Sequence, residues 1–184
     1  PIGDGKKLYD EKERMKIMVG NTPMIVNSHE AVNKWGFGKA IIHGFVVNEW
    51  DSNLTKEPRS VTFISEAGLD KYYNRRLMSA IKEKMMVKYQ MPHIQISVEW
   101  QASGAYFSHL RHNEMKGTGD VYKDFLGRSL VYINPTYDSP MPRARTEAML
   151  SGCCVLTTKY HDADTFIENG VNGFILPDNP DAFV

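Results

Sequence analysis

Apolar residues along the chain follow two rhythms. Leu8, Met15, Met18 and Val19 stand among charges at helical spacing and predict an amphipathic helix that ends at Gly20. "PMIVN" reads as a short buried strand. Ser28 suits the N-cap of a helix over "HEAVNKW", because its hydroxyl accepts from the free amides of a first turn, and Gly36 and Gly38 close that helix. "KAIIHGFVV" follows as a strand running into a glycine turn, and the polar, proline-bearing segment Asp51–Ser60 lacks apolar periodicity and reads as a linker.

Beyond the linker the two rhythms alternate. Strands are expected over Val61–Ser65, Ile94–Val98, Leu130–Asn134, Cys153–Thr157 and Gly173–Leu176. Helices are expected near Tyr72–Val87, Ala102–Met115, Val121–Leu126, Arg143–Leu150 and Asp164–Glu168. Continuous apolar strands such as "SLVYI" and "CCVLTT" argue for a strand buried on both sides, hence a parallel α/β sheet with helices on both faces. The expected division is 1–50 as the end of one domain, 51–60 as linker and 61–184 as a Rossmann-like domain. Pro1 at the start, and "NPDAFV" reading as a helix cut just after its N-cap, lead us to expect a piece of a longer protein.

Composition narrows the function classes. Of 184 residues, 42% are hydrophobic and 24% charged, and 22 basic residues balance 22 acidic ones, so no global field favours nucleic acid or an acidic membrane. Nucleic acid is not an expected partner. Adjacent Cys153 and Cys154 lie inside an apolar run and read as small buried side chains in a reducing compartment. No run of about 18 apolar residues and no signal-peptide pattern is present, so a cytoplasmic protein without a transmembrane segment is expected.

Candidate chemistry concentrates in "YINPTYDSPMPRARTEAMLSGCCVLTT", Tyr132–Thr158. In open parallel sheets ligands bind beyond the carboxyl ends of strands, and this loop leaves such an end. Pro135 and Pro140 hold it extended, and Pro142 suits a first helical turn, where its missing N–H is not needed. The free amides near Arg143–Arg145, at the positive end of a helix dipole, favour a bound phosphate, with Arg143 or Arg145 adding a charged fork. Glu147, one turn inside, is placed to accept from vicinal ribose hydroxyls. The competing reading is that Glu147 only complements the dipole and the arginines are solvated.

The segment "NPTYDSPMPRARTEAMLSGCCVLTT", with "FIENGVNGFILPDNPDAF" after it, resembles the donor-binding half of the GT-B fold enzymes called glycosyl transferases group one. Pro135 and Thr136 match the family's opening, Glu147, Ala148, Met149 and Gly152 its helix, and Glu168, Asn172, Gly173 and Phe174 its later motif. "IVNSHEAVNKWGF" and "IIHGFVVNEW" resemble the end of the family's first domain and its interdomain segment. The resemblance implies the C-terminal half of a GT-B fold preceded by a remnant of the N-terminal domain. It also implies a nucleotide-diphospho-sugar donor, UDP- or GDP-linked, with Glu147 on the ribose and Met141, Pro142, Arg143 and Ala144 near the diphosphate. The family's sugar-facing glutamate falls on Ser139, with Asp138 beside it. Its Gly-Arg pair falls on Ser65 and Glu66, its lysine on Lys71, and Arg75 or Arg76 is placed to substitute for the arginine.

The expected activity is transfer of a sugar, a hexose type, from nucleotide donor to an unknown acceptor, retaining, metal-independent and without a cofactor. Lys71, Arg75 and Ser139 form the expected catalytic set. A nucleotide-binding or interaction module without turnover, and a nucleotide-sugar epimerase of the same architecture, are the alternatives. Elsewhere, His109, His112 and Glu114 match no complete metal-ligand set. His43 reads as a structural turn residue, Met78, Met85 and Met86 as core packing, and "GTGD", Gly117–Asp120, as a cap for the helix at Val121.

Overall fold

A computed structural model describes residues 5–50, 53–56, 61–63, 74–89, 96–101, 104–109, 119–136, 142–160 and 162–184. The chain forms two compact units, Pro1–Gly44 and Phe45–Val184. The first contains helix α1 (Gly5–Val19), strand β1 (Ile25–Val26), helix α2 (His29–Trp35) and strand β2 (Lys39–Ala40). Strands β1 and β2 pair in parallel, Ile25 with Lys39 and Val26 with Ala40, so α2 is a crossover between them. Ser28 Oγ accepts from Ala31 N at 3.0 Å, and Gly36, at φ 75°, returns its N–H to Val32 O, as the sequence led one to expect. The expected long strand over "KAIIHGFVV" contracts to two residues. Ile41 N still donates to Val26 O at 2.8 Å, but Ile41 and Val46 are exposed and the strand ends at Ala40.

The second unit contains strand β3 (Val61–Phe63), helix α3 (Arg75–Tyr89), strands β4 (Ile96–Gln101) and β5 (Gly104–His109), helix α4 (Gly119–Arg128) and strand β6 (Val131–Asn134). Helix α5 (Arg143–Leu150), strand β7 (Cys154–Thr158), helix α6 (Ala163–Phe166), strand β8 (Gly173–Leu176) and a 3-10 turn (Pro180–Phe183) complete it. Strands β3, β6, β7 and β8 form one parallel sheet in that order, with Val61 beside Val131, Val131 beside Cys154, and Val155 beside Gly173.

Both faces of this sheet are covered. Along β6, Ile133 packs with Leu77, Met78, Ile81 and Met85 of α3 and with Phe183. Tyr132, next in sequence and therefore on the opposite face, packs with Leu126 of α4, Ala148 of α5, and Val155 and Ile167. Tyr132, Ile133 and Val155 are fully buried, each contributing on the order of 1.5–3 kcal/mol relative to exposure. Of the three methionines expected in the core, Met78 and Met85 are there, but Met86 is 49% exposed. It follows Met85 by one residue, about 100° around the helix, and so leaves the buried stripe.

One expected element is corrected. The region from Ala102, read as a helix, contains strand β5, which pairs antiparallel with β4 from Ile96–His109 to Gln101–Gly104. Only two residues separate Gln101 from Gly104, a spacing that suits a hairpin, and Ile96, Val98, Trp100, Tyr106 and Phe107 are residue types that fit a pleated surface better than a helix. The strand expected at Ile94–Val98 therefore belongs to this ribbon and not to the parallel sheet.

Candidate functional site

All four strands of the parallel sheet run the same way, so the carboxyl ends of β3, β6, β7 and β8 lie along one edge. Strands β3 and β6 are neighbours although far apart in sequence. The helix after β3 covers one face and the helix after β6 the other. A crevice at the carboxyl ends is expected where the winding reverses in this way.

The exit from β6 is fastened by β7. Thr157 Oγ1 donates to Asn134 O at 2.8 Å and Thr158 Oγ1 to Thr136 O at 2.9 Å, both hydroxyls being buried. Pro135 is buried between them in sequence. From the other end, Lys56 Nζ donates to Ser151 O at 2.6 Å, placing a cation at the negative end of α5. These three positioning residues were not singled out from sequence. For the threonines the available signal was a hydroxyl pair closing an apolar strand.

Helix α5 follows its N-cap Pro142, whose φ of −67° is that of any proline and whose side chain makes no cap hydrogen bond. Arg145 N already donates to Pro142 O at 3.2 Å, so the amides of Arg143 and Ala144 are the ones without an intrahelical acceptor. Glu147 is partly enclosed, its side chain 13% exposed, with Arg143 Nε 3.7 Å from its Oε1. The Arg143 guanidinium also lies 4.9 Å from the centre of the Phe45 ring. The carboxylate is thus neither sealed in the core nor free in bulk solvent.

The two arginines expected near a phosphate diverge. Arg143 is exposed. Arg145, 1% exposed, is turned inward, with its guanidinium 5.6 Å from the Phe166 ring centre and Nε and Nη2 without hydrogen-bond acceptors. Burial pushes its pKa down to about 10, against the opposing pull of Tyr132 and Asp162. Residues two apart on a helix point to different sides, so only one of the pair could border a ligand at the surface.

Of the remaining expected site residues, Asp138, Ser139, Met141 and Lys71 lie outside the described residues. Arg75 opens α3, its side chain outside the description, and Arg76 beside it is exposed. Gly117, Thr118, His112 and Glu114 are likewise outside it, and helix α4 begins at Gly119, two residues before Val121. Among the described residues no group of three or more His, Cys, Asp or Glu is placed to hold a metal. His43 is exposed.

The later motif is a folded clamp. Asn172 Oδ1 accepts from Glu168 N at 2.8 Å while its Nδ2 donates to Phe166 O at 3.0 Å, and Asn169 Oδ1 accepts from Ile175 N at 2.8 Å. Gly173 is needed because a Cβ there would lie 2.7 Å from Val155 O. Cys153 is buried and donates to Leu126 O at 3.2 Å, and both cysteines are free. Burial raises both thiol pKa values, that of Cys153 to about 11. Among the described residues no helix is long and apolar enough to cross a membrane.

A parallel sheet wound to both faces, with a helix N-terminus and a partly enclosed glutamate at its carboxyl edge, defines a doubly wound α/β class, in which ligands commonly bind beyond the strand ends. Comparison makes the class specific. Residues 98–184 match the family model for glycosyl transferases group 1. HepE of Anabaena, solved with UDP and glucose, shares 15% identity over 94% of this chain and 55% of its own, with a TM-score of 0.62. The pneumococcal O-GlcNAc transferase GtfA, solved with UDP and GlcNAc, shares 18% identity over 83% of this chain and 33% of its own, with a TM-score of 0.54. TarM shares 14% over 91% and 36%, with a TM-score of 0.55. No curated protein sequence matches the chain. The fold is that of a GT-B glycosyltransferase, and residues 98–184 carry the glycosyl transferases group 1 pattern that the sequence motifs pointed to. The chain spans 55% or less of the length of these solved proteins.

Proposed function

We propose that the chain is the donor-binding part of a glycosyltransferase that moves a hexose-type sugar from a nucleoside diphosphate to an acceptor, with retention and without a metal or other cofactor. The observation that carries this reading is the α5 N-terminus. The first-turn amides of Arg143 and Ala144, which have no acceptor within the helix, an exposed guanidinium and a partly enclosed Glu147 lie within about one turn of each other at the carboxyl edge. Cleavage of the sugar–phosphate bond builds negative charge on the leaving diphosphate. Fixed amide dipoles and cations placed there lower the barrier, since such electrostatic preorganisation is commonly the largest catalytic contribution. In this reading the α5 amides, Arg143 and Lys71 hold the diphosphate, Arg75 or Arg76 adds charge, and Glu147 accepts from the ribose. Asp138 and Ser139 are assigned to the transferred sugar in this reading, and Met141 to the diphosphate. The UDP and sugars held by HepE and GtfA support a UDP-linked donor by likeness of fold.

A thermal-shift series with UDP, GDP and ADP on the wild type and Glu147→Ala tests the site. UDP or GDP is expected to raise the melting temperature of the wild type and not of the variant. An equal shift in both removes Glu147 from the site. A second reading is favoured by Glu66 and Ser139, which stand where the family has an arginine and a glutamate: a nucleotide-binding module without turnover. Nucleotide binding with neither transfer nor donor hydrolysis by the whole protein supports that one.

A further inference from the structure

Residues of the segment that opens the second unit touch both ends of helix α5. At the carboxyl end Lys56 Nζ donates to Ser151 O. At the amino end the Arg143 guanidinium lies over the Phe45 ring, 4.9 Å from its centre. Just after Phe45 a 3-10 turn, Val47–Glu49, is closed by Glu49 N donating to Val46 O at 3.1 Å and Trp50 N donating to Val47 O at 3.0 Å. Trp50 packs on the buried cluster of Leu126, Tyr132 and Ala148. Lys123 of α4 clasps the turn, its Nζ 3.0 Å from Glu49 Oε2 and 5.5 Å from the centre of the Trp50 ring. Phe45 is therefore a half-buried ring beside an anchored turn.

That placement matters for Arg143. Its side chain is 55% exposed, and its ion pair with Glu147, 3.7 Å from Nε to Oε1, is too long for a hydrogen bond and restrains a long side chain only weakly. The ring adds a restraint of another kind. A guanidinium is drawn to the negative face of an aromatic ring without spending its N–H groups, so the edge that would meet a phosphate stays available. With Phe45 on one side and Glu147 on another, the cation is kept on the first turn of α5, where the amides of Arg143 and Ala144 have no acceptor within the helix. A phosphate arriving there meets charge already in place, and less side-chain freedom is lost on binding.

We propose that Phe45 is a positioning residue for the donor: it holds Arg143 ready for the phosphates, which makes the segment opening the second unit part of the donor site. The inference rests on the reading of the α5 N-terminus as that site. An effect routed through Arg143 has two signatures that simple packing lacks. It disappears when the arginine is absent, and it is visible on the guanidinium itself.

Calorimetric titration of the whole chain with UDP tests the first signature on the wild type, Phe45→Leu, Phe45→Trp, Arg143→Gln and the double variant Phe45→Leu/Arg143→Gln, with urea unfolding of each. Phe45→Leu should weaken UDP by about two- to fivefold, the worth of one exposed cation–π contact. Phe45→Trp, the better ring for a cation, should bind UDP at least as tightly as the wild type. In the Arg143→Gln background Phe45→Leu should make no further difference. For the second signature, the Arg143 Nε–H resonance of the wild type, assigned by its loss in Arg143→Gln, should be displaced by the ring current and should move when UDP is added. That measurement and Phe45→Trp decide the matter even where Phe45→Leu fails to fold. An Nε–H at its ordinary shift and unmoved by UDP, an unchanged affinity in Phe45→Leu, or an equal loss without the arginine overturns the proposal and leaves the donor reading standing on the UDP binding of the wild type. A wild type that binds no UDP sinks the donor reading and the proposal with it.

Discussion

Arg145 gives the sharpest test of the energetics. Its guanidinium is buried to 1% exposure, and two of its nitrogens have no acceptor. Lowering its pKa from the ordinary guanidinium value to about 10 means that the charged form costs the fold roughly 3 kcal/mol. The Phe166 contact that substitution would remove returns about 1–2 kcal/mol. Arg145→Met, similar in length and apolar, should therefore stabilise the protein by about 1–2 kcal/mol, or about 2–6 °C in melting temperature. The sign follows from linkage. A folded pKa below the unfolded one penalises the charged form fully at pH values below about 10 and less as pH rises through it, so the gain should be flat from about pH 6 to 9. Because Arg143 and not Arg145 faces the surface beside Glu147, the variant should keep its UDP response. Urea and thermal unfolding of wild type, Arg145→Met and Arg145→Ala supply the numbers. A methionine variant less stable than the wild type would show that the charge is compensated after all, and the reasoning would fail.

Two further outcomes follow from packing. Gly173→Ala should lose about 1–3 kcal/mol in urea unfolding, because its Cβ would sit 2.7 Å from Val155 O and a backbone carbonyl in the β7–β8 ladder has little room to withdraw. Wild-type-like stability would mean the ladder yields. Cys153, buried with its pKa raised to about 11, should resist iodoacetamide in the native state from neutral pH to about pH 9 and react only on unfolding, as read by peptide mass spectrometry. Native labelling at Cys153 as fast as at Cys154 would contradict that burial.

Much of the fold could be read from the chain because local patterns and tertiary environment agree there. Helix α5 and strand β8 begin and end where proline, arginine and the apolar run said they should. Ser28 caps its helix as its hydroxyl suggested. The hairpin was missed because "QASGAYFSHL" has apolar spacing compatible with a helix, and only pairing with Ile96–Gln101 decides for strands. At the site, Glu147 was legible as an acid one turn into a helix. Which of Arg143 and Arg145 turns inward was not, since that depends on Phe166, which the chain supplies only after another strand. The hydrogen bonds that Asn74 Nδ2 and Tyr160 Oη donate to Asp178 were invisible for the same reason: Asn74 and Asp178 are 104 positions apart, and no local rhythm links them.

The order of strands in the parallel sheet also bears on how the molecule assembles. Strands β6, β7 and β8 meet their neighbours through short crossovers, whereas β3 must find β6 across the whole of α3, the β4–β5 ribbon and α4, with Val61 meeting Val131. Closing so long a loop is entropically the slower event. The three C-terminal strands are therefore the natural nucleus, and β3 docks last. The reversal of winding between β3 and β6 comes into being only at that final step, so a chain in which β3 has not docked lacks the crevice at that edge.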